Sequence, residues 1–503
     1  MAIERIKQID SSEWKGLVLS LSGYQAPEGA LLDADNVELV REYLRRSRLL
    51  EGFAGSLTGT PLAIIPYQLA DGSYQLVCIT SDVVYSYTSS AVGWVNKGTY
   101  TGAATRRVSH DAFAGTLIFS DETNYVKKYD GTTLTDLGGL TATLARGVVS
   151  FWSFLFLLHT IESAIENPHR VKWSNIGNAE DYSTGLAGFV DLLDSWGEVQ
   201  TGAVLGNRIF IYKDYGIYAG TYVGLPRIFD FYPIPGSVGI AAPGSLARAE
   251  QYHLFLGEDN VYAFDGNTAQ AIGEPVAEWI VGPRRRTTAN VLTRSIGAYI
   301  PYLREYWLAV PVDQDTTPTM LLRYHLPTQT WWPRTKTSTY LAFGAWYDTD
   351  LVTWNDLGDT ATWNDFGASE TWDELGGLSQ AVRIPLIGTL SGTSGQLQRL
   401  DETSPSSESA YYTTKDYLFH TLTRILEYRL EAKGAAGQLT VSYSTDEGTT
   451  WTSLGANTLT GSEWQWAKWP LNITADVIRF KVELSAHDIS VRKRTLIGIE
   501  KRR

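Results

Sequence analysis

The chain has 503 residues, 44% of them hydrophobic and 19% charged, long enough for two or three packed domains and too apolar for disorder. Its formal charge of −13 argues against a general grip on nucleic acid, because binding phosphates needs Lys and Arg to replace condensed counterions. The single cysteine excludes disulfides within one chain, and no run of 18 apolar residues offers a membrane-spanning helix.

The opening MAIERIKQIDSSEW lacks the apolar core of a signal peptide, so nothing indicates export. Residues 1–60 form a region of their own. Within them Asn36–Arg48 reads as an amphipathic helix or as a strand pair turning near Arg41-Glu42, and periodicity alone does not separate the two. Arg41, Arg45, Arg46 and Arg48 make this stretch a basic island on an acidic molecule, predicted to be an arm that docks onto an acidic partner.

From residue 61 to 403 the chain repeats one unit seven times. A short apolar strand, as in YQLVCIT (Tyr74–Thr80), FWSFLFLLH (Phe151–His159) or NRIFIYKD (Asn207–Asp214), is followed by a polar turn and a second strand. The second strands centre on Tyr85, Lys127, Trp173, Tyr218, Tyr262, Leu322 and Gln398, at intervals of 42, 46, 45, 44, 60 and 76 residues. Short strands at a period in the forties predict a β-propeller of about six or seven blades, each burying its faces only against its neighbours. Several second strands end in the same turn chemistry, Tyr129-Asp130-Gly131 and Phe264-Asp265-Gly266. Asp-Gly supplies the positive φ of a tight hairpin. Cys78, inside an apolar strand, reads as a buried structural thiol.

The two long intervals hold extra material. One carries Arg284-Arg285-Arg286, and the other, residues 351–376, holds three tandem nine-residue repeats built on Trp354, Trp363 and Trp372. The repeats read as a self-packed loop in which each Trp covers the next turn, as a projecting surface with apolar anchors for a partner, or as an aromatic platform for sugar.

A Ser-rich acidic linker, DETSPSSESA, leads into a last region, 404–503, whose alternating runs QLTVSYSTDEGTTW and DVIRFKVELS describe a small antiparallel β-sandwich. Ser444–Trp451 matches the Asp-box pattern S-x-D-x-G-x-x-W, a hairpin device rather than an active site. The seven histidines show no H-x-x-x-H or Cys/His grouping at metal spacing, and neither a phosphate-binding loop nor a nucleophile elbow occurs. The reading is of a non-enzyme, with no catalytic residue, metal or cofactor.

Taken together, RVKWSN (Arg170–Asn175), NRIFIYKDYGIY (Asn207–Tyr218), GSVG (Gly236–Gly239), LGEDNVYAFDG (Leu256–Gly266), ADNV (Ala34–Val37) with the arginines after it, the T-W-[ND]-[DE] repeats and the terminal sandwich resemble the β-propeller tail nozzle, or head-completion, proteins of short-tailed bacteriophages. That resemblance implies extended structure over residues 36–48 and a structural virion protein, assembled in the host cytoplasm. It would form a homo-oligomeric ring, a hexamer in the family, below the portal and adaptor, in possible contact with tail fibres and with no membrane-spanning segment. DNA would pass through without specific binding, and −13 per subunit around a ring would keep phosphates off the wall. The alternative is a glycan-binding or glycan-cleaving propeller used in receptor recognition, and a cellular propeller scaffold stands behind it.

Overall fold

The computed structural model describes residues 4–40, 42–103, 107–140, 142–280, 292–312, 315–335, 339–348, 382–406, 408–485 and 488–501. It is nearly all β, with seven four-stranded antiparallel sheets and one nine-stranded sheet. The seven sheets are the blades of a propeller, and the strands picked out by the sequence repeat are the second and third strands of each. Tyr74–Thr80 pairs with Val83–Tyr87 in the first blade, Arg208–Lys213 with Ile217–Tyr222 in the fourth, and Val382–Ser391 with Ser394–Pro405 in the seventh.

The period of two along each strand explains why both faces are apolar. In the third blade, Phe154, Phe156 and Leu158 pack toward the fourth blade, while Leu155 and Leu157 pack toward the second. In the fourth, Ile209 and Ile211 face backward and Phe210 and Tyr212 forward. A continuous apolar run such as FLFLL is therefore a strand buried on both sides. Among the described residues, seven apolar clusters occupy the seven blade-to-blade interfaces. The turns behave as their composition requires: Asp130 Oδ1 accepts from the backbone N–H groups of Thr132 and Thr133 (2.8 and 2.7 Å) while Gly131 sits at φ +98°.

Cys78 lies at the interface of the first and seventh blades with no solvent exposure, and burial pushes its thiol pKa up. A thiol reagent is expected to label the folded protein far more slowly than the unfolded chain, and Cys78→Ala to cost about 1 kcal/mol through lost packing. Rapid labelling under native conditions would contradict this placement.

The described residues before 61 do not form a separate arm. Arg48–Thr58 is the outer strand of the seventh blade, antiparallel to Ser394–Pro405 with Leu397 opposite Phe53, so the two ends of the propeller are closed by hydrogen bonds between them. The described strands before it join the C-terminal region. The nine-stranded sheet runs Gly16–Leu17, Ala30–Asp35, Ala410–Thr414, Thr452–Leu484, Tyr417–Ser444, Ser490–Lys501, Tyr43–Arg46 and Val37–Val40, with Glu4–Ser11 also paired to Ser490–Lys501. The expected strand pair at 36–48 is there, Val37 opposite Arg46 and Val40 opposite Tyr43. The C-terminal unit is thus built from both chain ends. It packs against the sixth blade, whose Trp331 and Trp332 share one core with Leu31, Leu44 and Tyr412. The Asp-box is a hairpin, with Ser444 Oγ accepting from Gly448 N and Asp446 Oδ1 from Thr450 N (2.8 and 2.9 Å). Among the described residues no helix is long and apolar enough to cross a membrane.

Candidate functional site

The innermost strands of the blades surround a central cavity of about 1240 Å3. It is far too small for a DNA duplex, one turn of which is about 34 Å long. Its charged lining is internally paired. Arg146 reaches Glu122 (2.9 Å) and Glu198 (3.0 Å), Arg248 lies 3.6 Å from Asp111, and Arg107 donates to the carbonyl of Arg294 (3.0 Å) and to that of Leu341. Burial, with the nearby Arg294 guanidinium, lowers the Arg107 pKa to about 10, which still leaves it charged at neutral pH.

At one side of this cavity a buried histidine meets several acids. His159 has no exposed surface and lies within the second strand of the third blade, Phe154–Glu162, where the register slips between Leu158 and Thr160 and its own φ is +49°. Its Nε2 is 2.9 Å from Glu166 Oε1 and 3.3 Å from Glu122 Oε1. Its Nδ1 faces Glu198 Oε2 at 3.8 Å, longer than a hydrogen bond, and makes no other. Sequence spacing gave no sign of this group, since Glu122 comes from the neighbouring blade.

The predicted docking arginines are committed elsewhere. Arg46 is buried and donates to the carbonyls of Ser406 (2.5 Å), Leu484 (2.6 Å) and Ser485 (2.7 Å), tying the linker and the last sheet together. Arg45 pairs with Glu38 at 2.6 Å, and Arg48, also buried, lies 3.6 Å from Asp488. Arg46 and Arg48 tie the terminal sheet to the linker and the seventh blade, and Arg45 pairs within the terminal sheet, so reversing their charge would damage the fold itself. A basic run in the sequence does not distinguish a solvated patch from guanidiniums consumed by buried carbonyls. Arg41, Arg284-Arg285-Arg286 and the repeat residues Trp354, Trp363 and Trp372 lie outside the described residues.

The same junction holds a buried network that the sequence reading missed. Arg323 donates to Glu38 Oε2 (2.7 Å), the Val37 carbonyl (3.1 Å) and Ser47 Oγ (3.2 Å). Burial pushes the Glu38 carboxyl up, yet the guanidiniums of Arg323 and Arg45 hold it below the usual range. Its only signal was a charged residue inside the apolar strand MLLRYH.

Exposed aromatics gather on the third and fourth blades. Trp152 stacks on Tyr222 at 5.8 Å and is 57% exposed, and Trp196 is 88% exposed.

No protein-family model matches the chain, and no curated protein does. Among solved structures, the chain is similar to the computationally designed Ika8 protein, at 11% identity over 70% of this chain and 98% of the other, with a TM-score of 0.36. BamB from Moraxella catarrhalis matches at 7% identity over 74% and 98%, with a TM-score of 0.35. PorZ of the type-IX secretion system of Porphyromonas gingivalis matches at 10% identity over 79% of this chain and 46% of its own, with a TM-score of 0.36.

Proposed function

We propose that the protein is a structural, non-enzymatic subunit of a short phage tail, a nozzle that assembles as a ring below the portal and adaptor and through which DNA leaves the head. The observation that carries the reading is the architecture: a seven-bladed propeller with a β-domain knitted from both chain ends beside it, on a subunit of net charge −13. A ring of such subunits would present phosphates with a repulsive sleeve, and weak affinity suits a conduit. The cavity within one propeller is too small for a duplex, so in this reading the DNA path is the axis of the ring.

Light scattering and negative-stain images of the purified 55.7 kDa chain, alone and mixed with adaptor-bearing heads, test this. A six-fold ring, free or on heads, is the expected result, and a chain that stays monomeric and never attaches would sink it. The same assay places the tryptophan repeats. Asp348 and Val382 are opposite one another at the ends of paired strands, so a short turn can replace residues 351–376. That deletion is expected to keep the wild-type melting curve while losing a neighbour contact, since aromatic anchors dominate interfaces.

The exposed Trp152–Tyr222 stack and Trp196 favour a second reading, a glycan-recognising face. Glycan-array binding without ring formation would support it over the first.

A further inference from the structure

Among the described residues, Glu122, His159 and Glu166 form a group of potential metal ligands whose donor atoms all lie within 4.8 Å of one another. The chemistry of the histidine makes it more than a chance meeting. Both of its ring nitrogens face carboxylate oxygens, which only accept hydrogen bonds, whereas a neutral imidazole carries one N–H and one lone pair. If Nε2 holds the proton, Nδ1 is a buried acceptor looking at Glu198. If Nδ1 holds it, the Nε2 lone pair looks at two carboxylates. Either neutral tautomer leaves a repulsive contact, and a cation between Nε2 and the two acids removes it.

Arg146 bonds both Glu122 and Glu198 and so fixes two of the three carboxylates around the ring. The spacing fits as well: ligands about 2.0–2.1 Å from a tetrahedral Zn2+ are about 3.3 Å apart, close to the 2.9 and 3.3 Å found from Nε2 to Glu166 and Glu122. The left-handed backbone of His159, a conformation that non-glycine residues adopt at a cost, aims the ring into the group.

We propose that Glu122, His159 and Glu166 bind a divalent first-row transition ion such as Zn2+, at the wall between the second and third blades. Imidazole with two carboxylates suits Zn2+ better than Ca2+ or Mg2+, which take oxygen ligands. On binding, Nε2 gives its lone pair to the metal, and the imidazole proton resides on Nδ1, directed at Glu198. That carboxylate then acts as the orienting partner that metal-bound histidines commonly have. Arg146 holds Glu122 in place from behind.

The test uses the whole protein, stripped with chelator and dialysed, and titrated with Zn2+ by calorimetry and with Co2+ by visible absorption. One equivalent should bind, Co2+ should develop the absorption of a low-symmetry nitrogen and oxygen site, and Zn2+ should raise the melting temperature. Glu166→Gln changes a half-exposed side chain and is expected to fold as wild type while binding at least about tenfold more weakly. His159→Gln should abolish the Co2+ spectrum. A stripped protein that neither binds Zn2+ nor gains thermal stability from it would overturn the proposal and leave His159 as a core histidine hydrogen-bonded to Glu166. Zn2+ binding of undiminished affinity in the folded Glu166→Gln variant would overturn it equally, by placing the ion elsewhere.

Discussion

Arg323→Ala is expected to lower the stability of the protein by about 3–5 kcal/mol, because removing one partner of a buried ion pair strands the other charge in the interior. Glu38 and Arg323 are both nearly inaccessible and meet at 2.7 Å, although 285 residues separate them in the chain. Losing the guanidinium also orphans the Val37 carbonyl and Ser47 Oγ, and only Arg45 would remain to face Glu38. The contact joins the sixth blade to the terminal sheet, so the loss should appear as earlier separation of the two units in a denaturant titration, before the blades themselves unfold. Arg323→Met combined with Glu38→Gln removes both charges and should recover part of the loss, since a buried pair contributes far less than the penalty for breaking it. A single mutant within about 1 kcal/mol of wild type would mean that water reaches this junction and solvates the abandoned carboxylate.

The propeller was legible because its information is local. Each blade repeats an apolar strand whose two faces are both covered, and Asp130-Gly131 or Asp265-Gly266 marks where a hairpin turns. What stayed hidden depends on partners distant in sequence. Arg48–Thr58 shows no clean alternation, and nothing in it says that its mate is Ser394–Pro405. The region before it looked like an arm because its partners, the strands Ala410–Thr414 and Ser490–Lys501, lie at the other end of the chain. The arginines of that region were visible as a basic island, yet their environment was decided by the carbonyls of Ser406, Leu484 and Ser485. The group around His159 failed to appear for the same reason: Glu122 belongs to one blade and His159 and Glu166 to the next, so no spacing rule joins them.

Two titrating groups should give the protein opposing pH dependences that separate variants uncover. His253 is buried between the fourth and fifth blades, meeting Tyr212 Oη at 2.7 Å and the Val204 carbonyl at 3.2 Å, and burial lowers its pKa to about 4. The unfolded chain, with an ordinary histidine near pH 6.5, binds more protons between these values, so this group adds stability as pH rises from about 4 to 6.5. Asp35 sits where the terminal sheet meets the sixth blade, accepting from Thr335 N at 2.7 Å, and burial raises its pKa to about 6. Here the folded state holds the extra proton, and stability falls as pH rises from about 3.8 to 6. Each group is worth about 3 kcal/mol across its window, with opposite sign, at 1.36 kcal/mol per pKa unit. Relative to wild type, His253→Gln should therefore lose about 3 kcal/mol more at pH 7 than at pH 4. Asp35→Asn keeps an acceptor for Thr335 N and should gain by a similar amount between the same two values. Urea titrations at both pH values measure these differences directly. A His253→Gln difference that does not change with pH would show that the imidazole is hydrated in the folded protein, and a flat Asp35→Asn difference would show that the junction around Asp35 admits water.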